Sequence, residues 1–379
     1  MQKNKRINTE LKPSQVKELL RDVIKRNIDL GAQNKPTVSI GIYGPAGIAK
    51  TSIVEQITEE FNVHFIKQNI AEKEAGDLLG FPIVQLELKS TQDVEGEKYV
   101  WVNKDTVDSF IKMGYVPTGK DRMSFSKPDF IQGKEDKPCI MVLDDYNRGL
   151  PSMLNAIMDL VDRQKYSSWG LFPGSTVILT ANPDDGEDDY NISTTDKAQM
   201  TRFLRINMKP SVEDWALQME LEGLDDRFIN FLISNKELIE GTGDSNNTEL
   251  ANLRIWTKYF NLISMYDDLH KNWDKIFNLG QNSIPEEHLL YLYKFIENKL
   301  DKLPTVEEIL TMKNQKKLNE KLNDVIGTGD NKRMDISSII SRRLMNYALV
   351  HHKKYTKEMA LNYQFILKSE YLTPDLGLS

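Results

Sequence analysis

The spacing of hydrophobic positions changes once along this chain, near residue 210. Upstream, short apolar runs alternate with stretches in which apolar residues recur every three or four positions. Val16, Leu19, Leu20, Val23 and Ile24 predict a helix over residues 14–32, opened by Pro13-Ser14. Val38, Ile40 and Ile42 alternate as a strand does, and Ile53, Val54, Ile57 and Phe61 follow at helical spacing. Residues 63–66 read as a second strand. Residues 139–143 are short, continuous and apolar, the pattern of a strand buried on both faces. A helix over residues 151–163 follows, with Leu154, Ile157, Met158 and Val161 on one face. Residues 166–173 read as a hairpin and 176–180 as another β-branched strand. Strands alternating with helices predict an α/β fold, a parallel sheet with helices on both faces.

Between residues 83 and 137 the pattern is irregular, with strand-like fragments at 83–88 and 99–102 and a helix near 105–113. This stretch reads as an insert. Beyond Pro210 the pattern is helical, with breaks at 241–244, near Pro285, at Pro304 and at 327–330. The two Gly-Thr-Gly-Asp segments have unlike flanks, so they read as turns rather than as an internal repeat.

Composition narrows the class. A chain of 379 residues has room for two or three domains. Charged residues make up 28% and hydrophobic ones 40%, as in soluble globular proteins. A net charge of −7 weighs against a generally basic nucleic-acid binder. The one cysteine, Cys139, rules out an internal disulfide, and its apolar neighbours predict a buried core residue. The polar start lacks an apolar signal region, and no apolar run reaches membrane-spanning length. The expected location is cytoplasmic.

The candidate chemistry begins at residues 41–52, where a strand, a glycine-rich turn, Lys-Thr and a helix follow in order. That arrangement cradles a nucleoside triphosphate. Gly44, Pro45, Ala46, Gly47, Ile48, Ala49, Lys50, Thr51 and Ser52 form the expected phosphate-binding set. Backbone N–H groups and the helix N-terminus would face phosphate oxygens. Lys50 would reach the β- and γ-phosphates, and the Thr51 hydroxyl would ligate Mg²⁺. Ala49 replaces the second glycine of the usual pattern, which requires an ordinary right-handed backbone there.

Asp144 and Asp145 end the buried strand. Asp144 would hold Mg²⁺ through water, and Asp145 would orient or deprotonate the attacking water. Alone, the pair would read as a solvated acidic turn; beside a phosphate loop it does not. Asn182, at the tip of the following strand, would also position that water, against the plainer reading of an Asn-Pro turn. Arg202 would reach a neighbouring subunit's γ-phosphate, or else is a surface arginine.

Taken together, Gly44-Pro-Ala-Gly-Ile-Ala-Lys-Thr51, Leu143-Asp-Asp-Tyr-Asn-Arg148, Leu179-Thr-Ala-Asn-Pro183 and Thr201-Arg-Phe203 resemble the AAA+ ATPases, specifically their MoxR-like branch. The resemblance extends to Asp77-Leu-Leu-Gly-Phe-Pro82, Asp162-Arg163, Val212-Glu-Asp-Trp215 and Leu253-Arg-Ile-Trp256. It covers roughly residues 15–265, in the family's motif order. It implies an ATPase core over 1–209, a helical lid over 210–265 and a helical extension over 266–379. It also implies ATP and Mg²⁺ as cofactors, Lys50 and Thr51 as Walker A, and Asp144 and Asp145 as Walker B. Asn182 would be sensor 1, Arg202 the arginine finger and Arg254 sensor 2, with Arg342-Arg343 the competing pair. Two departures stand out. Asp145 replaces the family's usual Glu, shortening the reach of the acid, and Leu253 replaces a Pro at a helix start.

The implied function is a homo-oligomeric ring, a hexamer, that hydrolyses ATP to remodel a partner protein, often one with a von Willebrand factor A domain. Two alternatives are a nucleic-acid motor, which the acidic charge disfavours, and an ATP-binding switch with little hydrolysis. Other features carry less. His351-His352-Lys353-Lys354 and residues 313–321 read as solvated helix faces, and residues 184–189 as a solvated acidic turn rather than a calcium loop. Trp101 and Trp169 are candidate substrate contacts or local packing residues.

Overall fold

A computed structural model describes residues 9–91, 98–166, 169–182, 201–241, 252–328 and 332–368. The acidic run 184–189, residues 242–244 of the first Gly-Thr-Gly-Asp segment and 329–330 of the second lie outside these residues. The chain forms two compact units, residues 1–45 with 49–208, and residues 46–48 with 209–379.

The first unit opens with a two-residue strand β1 (Glu10–Leu11) and helix α1 (Pro13–Ala32), which Pro13 starts at its first position. Strand β2 (Ile40–Tyr43) leads through the glycine-rich loop into α2 (Lys50–Thr58), and β3 (His64–Asn69) precedes the short α3 (Ala75–Leu79). Strands β4 (Pro82–Ser90) and β5 (Tyr99–Asn103), helix α4 (Val107–Lys112) and β6 (Tyr115–Phe125) follow. Then come β7 (Cys139–Asp144), α5 (Pro151–Arg163), a hairpin of β8 (Lys165–Tyr166) and β9 (Trp169–Gly170), β10 (Thr176–Ala181) and β11 (Leu204–Met208).

Six of these strands form one sheet in the order β1-β11-β2-β10-β7-β3, every neighbour parallel. Parallel strands covered on both faces read as continuous apolar runs, which explains residues 139–143. Met141, Leu143, Val177 and Leu179 pack with α3 and α5 through Leu78, Leu79, Leu154, Ile157 and Met158. Ile140, Val142 and Ile178 alternate with them and so face the opposite side, where α1 and α2 pack together.

The insert is not irregular. It folds as a separate antiparallel sheet, β5-β4-β6, with a bulge between Leu86 and Leu88. Strand β6 escaped the hydrophobic pattern because its residues are mostly exposed and include Pro117, Gly119, Lys120 and Asp121.

The regular elements of the second unit are helices, among its described residues. Its helices are α6 (Val212–Glu222), α7 (Asp226–Ser234), α8 (Glu237–Glu240), α9 (Leu253–Ile263), α10 (Trp273–Gly280) and α11 (Glu286–Glu297). They continue as α12 (Val306–Leu310), α13 (Gln315–Ile326), α14 (Met334–Val350) and α15 (Lys357–Lys368). Ser211, Asp225, Asn252, Thr305 and Asn314 cap five of these helices by accepting backbone N–H groups. One core runs from Val212 to Ile296, crossing residue 265, where the lid was expected to end. At its centre Phe228 stacks on Phe260 at 4.7 Å, beside the fully buried Trp256. A second core runs from Val306 to Ile366. Between α6, α7 and α14, the buried Arg343 faces Glu220 and Asp226. Among the described residues no helix is long and apolar enough to cross a membrane.

Candidate functional site

The C-terminal ends of β2, β10 and β7 lie side by side, and each carries a polar group the sequence singled out. Strand β10 lies between the other two, so Asn182, just beyond it, bridges the phosphate loop and the acid turn. Lys50 is 8% exposed. Its Nζ donates to Gly44 O at 2.7 Å, to Pro45 O at 2.9 Å and to Asn182 Oδ1 at 2.8 Å. A lysine ammonium has three protons, and these acceptors match them in number.

Thr51, the second residue of α2, donates from its hydroxyl to Asp144 Oδ1 at 2.9 Å. The Thr180 hydroxyl donates to the same oxygen and accepts the Asp145 N–H at 3.2 Å. Lys67 Nζ stands 3.4 Å from Asp144 Oδ2. Burial alone would push the Asp144 carboxyl up; the Thr180 and Thr51 hydroxyls and Lys67 outweigh it and hold the group below its ordinary range. Asp144 is therefore a carboxylate at neutral pH.

Asp145 follows in a left-handed conformation, φ 48° and ψ 40°. Aspartate is among the few residue types that visit this region readily. Asn182 Nδ2 lies 3.5 Å from Asp145 Oδ1, and Arg148 Nη1 lies 3.8 Å from Asp145 Oδ2. Asn147, nearly fully buried, donates to Asn182 O at 3.0 Å and fixes the turn to the strand tip.

Ala49 departs from expectation. Its backbone is left-handed, φ 67° and ψ 27°, not right-handed. The loop also turns at Gly47, φ 77°, two residues before Ala49, which immediately precedes α2. Gly47 belongs with the second unit, where a Cβ on it would meet Asn252 Oδ1 at 2.5 Å. Ala46 is exposed, Ile48 is buried, and Ser52 lies in the first turn of α2.

Beneath the loop, the hydroxyls of Tyr43 and Tyr146 are hydrogen-bonded to each other, both rings being buried. The Arg205 guanidinium lies 3.9 Å from the Tyr43 ring centroid. Burial first, and Tyr146 second, push the Tyr43 hydroxyl's pKa up, so Tyr43 is a neutral phenol.

Arg202 is not part of this cluster. It precedes β11, whose first residue pairs with Ile40 at the start of β2, so it lies at the end of the sheet opposite the loop. Arg254 is the second residue of α9, in the second unit, and is exposed. Leu253 occupies the first position of that helix, where a proline would fit. Trp169 is 4% exposed and donates its indole N–H to Leu79 O, so it is a packing residue and not a surface contact. Trp101 is partly exposed and stacks under Arg122 at 4.5 Å.

Lys67, Thr180, Asn147 and Arg148 were given no roles by sequence reasoning. The register held a signal for Thr180: Leu179 pairs with Leu143, so the next positions place its hydroxyl beside Asp144. No family model matches the sequence, and no curated protein matches it.

Proposed function

We propose that this chain is an ATP-hydrolysing AAA+ protein of the MoxR-like kind, acting as a hexameric ring that remodels or activates a partner protein. The observation that carries this reading is the joining of Lys50 to Asn182 and of Thr51 to Asp144 across three adjacent strand ends. Thr51 and Asp144 offer one hydroxyl and one carboxylate, the partial set Mg²⁺ takes when phosphates complete its shell. Lys50 is a buried cation on a short path to any phosphate in the loop.

When bound, ATP–Mg²⁺ supplies the phosphoanhydride bond and the divalent charge that eases its cleavage. The backbone of residues 44–52 would cradle the phosphates, with Lys50 neutralising the outer ones. Asp145 would take a proton from the attacking water, oriented with the help of Asn182. Exposed Arg202, at the far end of the sheet, would serve a neighbouring copy's loop, and Arg254 would couple helix α9 to the nucleotide. A protein with a von Willebrand factor A domain fits the implied partner.

One observation favours a second reading, an ATP-bound switch that hydrolyses slowly. Asp145 is short, left-handed and flanked by Arg148, which holds its carboxylate back. Steady-state turnover separates the two. A motor shows Mg²⁺-dependent phosphate release that Asp145→Asn abolishes while nucleotide still binds. No turnover in the native chain or in Asp145→Glu, with nucleotide bound, leaves only the switch. Unchanged nucleotide binding in Lys50→Ala removes both readings.

A further inference from the structure

The second unit holds a cavity of about 500 Å³, inside the range of roughly 300–1,000 Å³ typical of small-ligand sites. Two facing helical stripes build it. Tyr291, Lys294 and Phe295 line it from α11, and Ser338, Ile339 and Arg342 from α14. The turn joining α7 to α8 closes one side. Phe295, Ile339 and Ile233 are buried and give the cavity an apolar base, while Tyr291 is 44% exposed.

The charges around it are unequally matched. Asp335 is held by Arg333 at 2.6 Å, and Lys236 faces Glu213 at 3.9 Å. Lys294 and Arg342 form no ion pair among the described residues; Lys294 Nζ lies 5.9 Å from the Tyr291 ring centroid. Two cations that line one cavity and lack carboxylate partners leave it able to take an anion. Glu237, the lining carboxylate without an ion-pair partner among the described residues, limits how much negative charge fits.

We propose that this cavity binds a small organic anion, a monophosphate or carboxylate carrying a planar apolar body. The anionic head lies between Lys294 and Arg342, and the body packs against Tyr291, Phe295 and Ile339. A polyphosphate is disfavoured by Glu237. The site is separate from the phosphate loop and stands whether or not the loop binds ATP.

Phenyl phosphate, inorganic phosphate and tripolyphosphate are suitable probes, titrated calorimetrically into the full chain with its native sequence and into Lys50→Ala. Binding at the cavity is the event common to both chains. Phenyl phosphate is expected to bind one-to-one and about tenfold more tightly than inorganic phosphate, because the ring adds apolar contact. Arg342→Gln and Lys294→Gln should each weaken it about tenfold. Tyr291→Ala should bring phenyl phosphate down toward inorganic phosphate, and tripolyphosphate should bind no better than phosphate. All three positions are partly or fully exposed, so the variants should unfold at the native midpoint. Absence of saturable phenyl phosphate binding, or equal affinity in Arg342→Gln, overturns the proposal.

Discussion

Lys50 and Asn182 are joined by a 2.8 Å hydrogen bond, although they belong to a helix start and a strand tip 132 positions apart. The same asparagine amide approaches Asp145, so one side chain touches both the cation and the acid of the site. On the proposed function, Asn182→Ala should lower kcat by about 10²-fold, the usual cost of losing one positioned polar group. ATP affinity should change far less, because Lys50 keeps its two carbonyl acceptors. Pre-steady-state phosphate release measured alongside nucleotide binding checks the split; a loss confined to affinity would refute the water-positioning role.

Ala49 occupies a conformation that costs an L-residue about 1–2 kcal/mol. Ala49→Gly relieves that strain but adds freedom to the unfolded chain, for a net gain of about 0.5–1 kcal/mol. The first unit should unfold about 2–3 °C higher in a thermal scan. Ala49→Val, β-branched, should unfold lower than the native chain. A right-handed Ala49 would instead make the glycine variant less stable.

The Tyr43 and Tyr146 hydroxyls are hydrogen-bonded to each other in the core. Tyr146→Phe removes the partner of the buried Tyr43 hydroxyl and should cost about 1–3 kcal/mol. The double variant removes both and should cost less than the sum of the singles. Urea unfolding of the four chains gives the coupling directly, and additive losses would show that the hydroxyls act apart.

Glu220 predicts how the second unit responds to pH. Burial raises its carboxyl to about 7, with Arg343 pulling down and Asp226 pushing up. The native state therefore keeps a proton that the unfolded chain releases above about pH 4.3. The stability this proton confers is full below that value and falls as pH rises through about 7, because the native state binds more protons over that window. Unfolding midpoints should decline between about pH 5 and pH 8, and Glu220→Gln should flatten the decline. An equally steep decline in the variant would place the proton elsewhere.

Much of the site was legible because its residues end apolar runs. The uninterrupted run at 139–143 predicts β7, and its end leaves Asp144 and Asp145 at the sheet's C-terminal edge. Asn182 follows β10 for the same reason. What stayed hidden depends on tertiary neighbours. Trp169 is buried because its indole N–H finds Leu79 O, a carbonyl distant in the chain. The backbone of Ala49 is set by the loop it closes, against the preference of its side chain. Strand β6 pairs along one edge while most of its side chains face solvent, so no alternation marked it. The pairing of Tyr43 with Tyr146 left no trace in spacing, since the partners meet only once β10 lies between their strands.

Thr180 fastens the acid turn at two points through one atom. Its one oxygen donates to Asp144 and accepts from the N–H of Asp145, so a change to Val, closest in shape, would remove both bonds at once. Lys67 and Thr51 also brace Asp144, and Asn147 ties the turn to the strand tip. Any shift of the tip of β10 would therefore carry the Asp144 carboxylate and the Asp145 backbone with it.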